Sequence, residues 1–324
     1  MKLTVCRIKP KGPIHLGERE NWREGSGLYI HSDTLFSAFC HCYQLLYSTD
    51  ELEKLLKPFV DGNPPFLISS TFLYWKETYF FPIPKNQFPE TKEAKKIKFI
   101  ERIGFEKLLN GEKIENVISN SRCIPDFVEK ITPWSLDNVP RVSLNRYSNH
   151  PLEEGGFFHF GEVFYHEDAE LYFLIKYKDT NYRQRIESAF RLMCDEGIGG
   201  DRSSGKGLFY QPTFDEIEID IPVQHNGIIA LSLFFPANDE LQDMKNGFYE
   251  LIERKGYIYS PYGTSLRRKS IRMFTEGSVF PAMPVKHGKI ISVKPAVFSH
   301  HEVYRYGFIF SLPCKMEIND ESKN

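Results

Sequence analysis

The chain has 324 residues, of which 41% are hydrophobic and 26% charged, with a formal net charge of −2. That length suits two domains with real cores; no apolar run is long enough to span a bilayer, and the N-terminus lacks the apolar region of a signal peptide. The near-neutral total argues against nucleic-acid binding, but local patches set phosphate affinity, and the charge here is segregated.

The stretch Asp215-Glu216-Ile217-Glu218-Ile219-Asp220 and the pair Asp239-Glu240 are acidic and suit docking to a protein partner; Arg267, Arg268, Lys269 and Arg272 form a basic run. The six cysteines, Cys6, Cys40, Cys42, Cys123, Cys194 and Cys314, include no C-x-x-C pair. They read as reduced, mostly buried thiols of a cytoplasmic protein. With 27 Phe and 17 Tyr, most aromatics must be core in a strand-rich fold, leaving a few to stack on bases.

In chain order, Leu3 to Lys9 reads as a first strand, Pro10 to Gly27 as a charged loop carrying His15, Arg19 and Arg23, and Leu28 to Ile30 as a brief extended piece. Ser32 or Asp33 is placed to cap a helix with Leu35, Phe36, Phe39, Tyr43 and Leu46 on one side. A second helix over Glu51 to Leu56 is expected to close at Pro58. Phe66 to Trp75 and Tyr79 to Ile83 read as a strand pair, Lys92 to Asn110 as an exposed Lys/Glu helix, and Glu115 to Pro140 as an irregular insertion. Arg141 to Arg146 is extended, Phe157 to Tyr165 a bent strand or hairpin, and Leu171, Phe173, Ile175 and Tyr177 share one face of a strand. Ile186, Ala189, Phe190 and Met193 recur at helical spacing, and a strand is expected from Leu208. This order fits a ferredoxin-like (RRM-like) domain with insertions, bounded near residues 214 and 215. A second round follows: a strand at Ile228 to Phe235, a helix at Asp239 to Arg254, strands through Tyr257 to Tyr259, Ile271 to Phe274, Ile290 to Val293 and Val303 to Phe310, and a disordered tail from Glu317. The expected architecture is α+β: two tandem ferredoxin-like domains, 1–214 and 215–324.

Between the helix and the strand at Leu208 lies Gly197-Ile198-Gly199-Gly200-Asp201-Arg202-Ser203-Ser204-Gly205-Lys206-Gly207. Glycine admits φ > 0 and close approach, and successive amides in such a loop can form an anion-binding concavity, with Arg202 and Lys206 at its lip. Gly200 to Lys206 fits G-x-x-x-x-G-K, but Gly207 stands where a P-loop needs Ser or Thr for Mg²⁺. The order is also helix–loop–strand, the reverse of a P-loop. A loop holding a nucleic-acid backbone has no such conflict; the plain alternative is a surface loop with Gly197 as a helix cap.

This helix–GIGGDRSSGKG–strand pattern resembles the glycine-rich loop of the RAMP superfamily of CRISPR proteins. His15-Leu16-Gly17 with Ser32 to Ala38, and Arg141-Val142-Ser143-Leu144-Asn145-Arg146, are similar to the start and middle of these proteins. Lys269 to Phe274, Glu276 to Phe280 and Val303 to Gly307 resemble the subunit of the type III-A (Csm) effector complex that holds the 5′ end of the guide RNA. The resemblance runs from about Leu3 to Phe310. It implies a non-catalytic subunit that anchors the 5′ handle of the crRNA and joins the large polymerase/cyclase subunit to the first backbone subunit. It also implies a thumb hairpin between about Ile118 and Phe158. The expected RNA contacts are His15, Ser32, Arg141, Asn145, Arg146, Gly197, Gly199, Gly200, Arg202, Ser203, Ser204, Gly205, Lys206, Arg267, Arg268, Lys269 and Arg272.

Two other chemistries bear on the same residues. A related RAMP branch cuts RNA without metal by general acid–base catalysis, which makes His15 a candidate base of a metal-independent endoribonuclease processing precursor crRNA, although no partner acid is evident. Cys40-His41-Cys42 and His300-His301 lack zinc spacing. No metal, cofactor or catalytic residue is expected.

Overall fold

The computed structural model describes residues 1–17, 26–125, 131–145, 147, 148, 150, 156–260, 262, 263, 266–282 and 288–316. Arg19, Arg23, Arg146 and the tail from Glu317 lie outside them.

The first sheet is built on two central strands, β1 (Lys2–Ile8) and one formed much later in the chain. Between them come α1 (Ser32–Tyr47), α2 (Thr49–Val60), β2 (Phe66–Ile68), β3 (Phe72–Trp75), β4 (Thr78–Pro82), β5 (Phe99–Glu101), α3 (Arg102–Leu109), α4 (Ile114–Ile118), β6 (Cys123–Ile124), β7 (Trp134–Val142) and β8 (Phe157–Tyr165). The second central strand, β9 (Ala169–Tyr177), leads to α5 (Arg183–Glu196) and β10 (Thr213–Glu218). The sheet order is β10-β1-β9-β3-β4-β5-β6, with β2 also pairing β9, and each of these pairings is antiparallel. β9 reads as an almost continuous apolar run because it is buried on both faces. Phe173 meets Phe190 of α5, with ring centroids 4.9 Å apart, while Tyr172 faces the other way and donates to the Phe80 carbonyl at 2.8 Å.

The chain then forms β11 (Gly227–Ala230), β12 (Leu251–Arg254), β13 (Ile271–Phe274), β14 (Val279–Pro281), β15 (Ile291–Ser292), β16 (Tyr304–Arg305) and β17 (Ser311–Cys314). These pair as β14-β11-β17, β12-β13 and β15-β16. The two units share one core, in which Leu35, Phe36, Phe59 and Phe66 pack with Tyr306, Phe308 and Leu312. The buried run Ser69-Ser70-Thr71 links them through Ser70, whose amide donates to Leu231, while the Thr71 amide holds Ile30 within the first unit, each at 2.8 Å.

The mixed α+β class of a strand-rich chain holds, while several local expectations change. Residues 92–110 do not form one helix: Ala94–Lys96 makes a 3₁₀ turn, Phe99 and Ile100 are both buried in β5, and Arg102–Leu109 is the α-helical part. Pro58 sits inside α2 rather than ending it. No strand starts at Leu208; Phe209 makes only a bridge to Pro10, and the strand is β10. The expected boundary at 214/215 therefore falls within β10, whose acidic residues pair with β1. The helix expected over 239–254 is absent. The buried Glu240 carboxylate accepts from the amides of Ala237 (2.6 Å) and Gly288 (3.1 Å), which fixes a turn. Leu241 and Leu251, which sit at helical spacing within that stretch, are each 51% exposed.

Candidate nucleic-acid interface

The glycines of the loop after α5 answer to packing inside the protein. Gly197 leaves the helix at φ +81°, its amide bonded to the Met193 carbonyl at 2.9 Å. Gly199 and Gly207 have φ of +99° and +67°; a Cβ would lie 2.4 Å from the His15 carbonyl oxygen at the first and 2.0 Å from that of Ile198 at the second. Both would be severe clashes, so no larger residue fits either position. Between Asp201 and Gly205, both left-handed, Arg202–Ser204 makes a single 3₁₀ turn. The amides of Gly197, Ile198, Gly200, Ser204, Gly205 and Gly207 donate to Met193, Gly207, His15, Asp201, Arg202 and Pro13. The expected open cradle of successive amides is therefore corrected: most of these donors tie the loop to itself and to the segment Pro13–His15.

Two expected phosphate contacts are also engaged internally. Lys206 pairs with the buried carboxylate of Glu162, and Arg141 reaches the same carboxylate at 3.0 Å and Asp201 at 2.7 Å. Arg141 also lies 4.8 Å over the Phe160 ring. These contacts fasten the loop to the two-stranded ribbon β7–β8, whose first strand lies within the span expected for a thumb hairpin and whose second runs beyond its expected end near Phe158. His15 is buried between them: its Nδ1 is 2.7 Å from the Gly161 carbonyl and its ring 4.0 Å from Phe160. A base so placed has no open face for substrate. Ser32 is buried too, its hydroxyl accepting from the Leu233 amide at 3.1 Å. It is not the helix cap; His31 holds that position. Asn145 closes a local turn by accepting from the Tyr147 amide at 2.8 Å. Ser203, Ser204 and Gly205 are exposed.

An open cleft of about 290 Å³ lies between the two units, lined by the glycine loop, α1 and the side chains of Arg254, Tyr259 and Arg268. Arg202 faces it, its guanidinium 4.7 Å over the ring of Tyr259, which meets His41 edge-on. Behind the wall lies an ion cluster the sequence did not reveal. The buried Asp33 carboxylate is bonded by Arg254 at 2.9 and 3.0 Å and by Arg305. Burial alone would raise the Asp33 carboxyl; the two arginines outweigh it and hold it well below the usual carboxylate range. Nearby, buried Glu276 is bonded by His31 at 2.8 Å and by Ser70. Arg268 also lines the cleft, and burial, then the charges of Arg305 and Arg254, pull its guanidinium down to about 10. Arg267, Lys269 and Arg272 are exposed; Arg272 points outward on β13 while Met273 is buried, as their alternation predicts. Asp33 and its partners were hidden because the cluster spans residues more than 200 positions apart. Among the described residues, no group of three or more His, Cys, Asp and Glu side chains is placed to hold a metal ion.

Two family models match in tandem, the RAMP superfamily over residues 7–210 and the CRISPR Csm4 C-terminal domain over 224–314. The chain belongs to the RAMP superfamily. Among its RAMP relatives, the CRISPR system Cms protein Csm4 of Methanocaldococcus jannaschii is 27% identical, with 86% of this chain and 85% of that protein covered. The Csm4 protein of Thermococcus onnurineus is 26% identical, with 97% and 98% covered. The same RAMP architecture appears in the solved Csm3–Csm4 subcomplex of a type III-A interference complex (TM-score 0.65, 21% identity, 96% of this chain and 99% of that chain covered). It recurs in a Csm1–Csm4 cassette in complex with pppApA (TM-score 0.63, 21% identity, 98% and 99% covered). The family boundary between 210 and 224 brackets the exit from β10.

Proposed function

We propose that this chain is the non-catalytic RNA-binding subunit of a type III-A CRISPR effector complex. It seats the 5′ handle of the crRNA in the cleft between its two units and bridges the large polymerase/cyclase subunit to the backbone. The Csm4 relatives and the solved pairings of Csm4 with Csm1 and with Csm3 support membership and the bridging role. The observation that carries the RNA reading is the cleft itself: it is open to solvent and lined by Arg202, Arg268 and Tyr259. Cations beside an exposed aromatic ring are what single-stranded RNA binding without base reading requires. His15, the residue weighed as a general base, is committed to packing, which supports a role in holding RNA rather than cutting it.

Reconstitution with and without this chain tests the proposal. With it, the large subunit should co-elute with the backbone subunits, and the handle of the bound RNA should resist nuclease. A complex that keeps the large subunit and protects the handle without this chain would contradict the role.

A further inference from the structure

Charge in the cleft wall does not balance. Three guanidiniums, those of Arg254, Arg305 and Arg268, converge near Asp33. Both Asp33 oxygens are taken by Arg254 and Arg305. The second nearby carboxylate, Glu276, is taken by His31 and Ser70. Arg268 has no carboxylate partner among the described residues: its one side-chain contact is a 3.5 Å approach of Nη2 to the Ser37 hydroxyl, and its Nε is buried without an acceptor. A half-buried cation with a buried, unsatisfied Nε is unfavourable unless an anion completes it. Tyr259 stands on the same cleft, 66% exposed despite its contacts with Arg202 and His41.

We propose that Arg268 and Ser37 form the seat for one phosphate of a single-stranded RNA backbone, with the adjoining base stacked on Tyr259 beneath the glycine loop. This rests on the handle-binding reading and deepens it. The phosphate supplies the acceptors that Arg268 lacks, and a planar guanidinium suits two phosphate oxygens at once. The exposed ring of Tyr259 supplies a stacking face that tolerates any base. On this account the strongest phosphate contact comes from the second unit, and Lys206, neutralised by Glu162, contributes none.

The test is a methylphosphonate scan of handle RNA against the assembled complex, in which each phosphate is made neutral in turn. Wild-type complex should show one position whose neutralisation weakens binding about 10-fold. In Arg268→Gln, affinity should already be about 10-fold lower and that position indifferent, with the salt slope smaller by about 0.7 for one lost single-strand phosphate contact. Arg268→Lys, which keeps the charge, should fold as wild type and lose only part of the affinity. Inorganic phosphate at millimolar concentration should not abolish the position-specific effect; if it does, the seat belongs to free phosphate and the RNA assignment falls. A scan in which Arg268→Gln and wild type respond alike at every position overturns the seat while leaving handle binding intact. Failure of the wild-type complex to bind handle RNA would overturn the underlying reading and this proposal together.

Discussion

The glycine loop and the cleft wall opposite it carry similar charge in the sequence but differ in how far the fold pairs that charge with carboxylates. In the loop, Lys206 and Arg141 converge on Glu162, Arg141 adds Asp201, and most amides are spent on local carbonyls. In the wall, three arginines converge on a single aspartate and one of them, Arg268, is left over. The loop is a structural clasp that happens to be basic; the wall keeps one guanidinium without a carboxylate partner among the described residues. Cations that are dense in sequence are therefore not all free in the fold; what differs is where the fold supplies their carboxylates.

The contrast breaks most visibly at Asp33. Asp33→Ala leaves two buried guanidiniums without their shared partner and should destabilise the protein by about 3–5 kcal/mol, read from urea unfolding at neutral pH. Acid should reach the same cluster. Asp33 and Glu276 are both held below the ordinary carboxylate pKa of about 4. The stability each adds is fully present above that pH and is lost as pH falls further toward the folded values. The urea midpoint should drop below about pH 4 in the wild type, and less so in Asp33→Ala; equal acid sensitivity would show that the pair at Asp33 contributes nothing.

Within the loop, Gly207→Ala meets the Ile198 carbonyl in a left-handed conformation and should cost about 3 kcal/mol. Gly205→Ala has a similar φ but open space around its Cβ, and should cost only about 1 kcal/mol. Thermal melts of the two variants separate packing from backbone strain; equal losses would remove the clasp as the reason for Gly207. The smallest effect is expected on RNA. Lys206→Ala should leave the salt slope of handle binding unchanged, while Arg202→Ala should reduce it by about 0.7. A reduced slope for Lys206→Ala in salt titrations would return the loop to the role its sequence suggests.

The elements at the centre of the fold were legible because their burial is periodic or continuous: β1, β9, α1 and α5 follow from Val5, Phe173, Phe39 and Phe190. Residues 239–254 misled because Leu241, Met244, Phe248 and Leu251 carry a helical spacing, yet Glu240 and Gly247 turn the chain into a sheet unit. The acidic stretch 215–220 looked like a domain boundary because its charges mask an edge strand whose inward residue, Ile217, is buried against β1. At the site, composition located the basic residues but not their partners. Glu162 sits in an ordinary strand pattern, and Asp33 in a helix start; only the fold brings them to Lys206 and Arg254.

The most direct measurement is photocrosslinking of handle RNA carrying 4-thiouridine in the assembled complex, with crosslinked peptides identified by mass spectrometry. The account predicts adducts on the segment Arg254–Arg268, above all at Tyr259, and on the facing part of α1. Adducts confined to the outer ribbon β7–β8, or to the acidic edge β10, would contradict it.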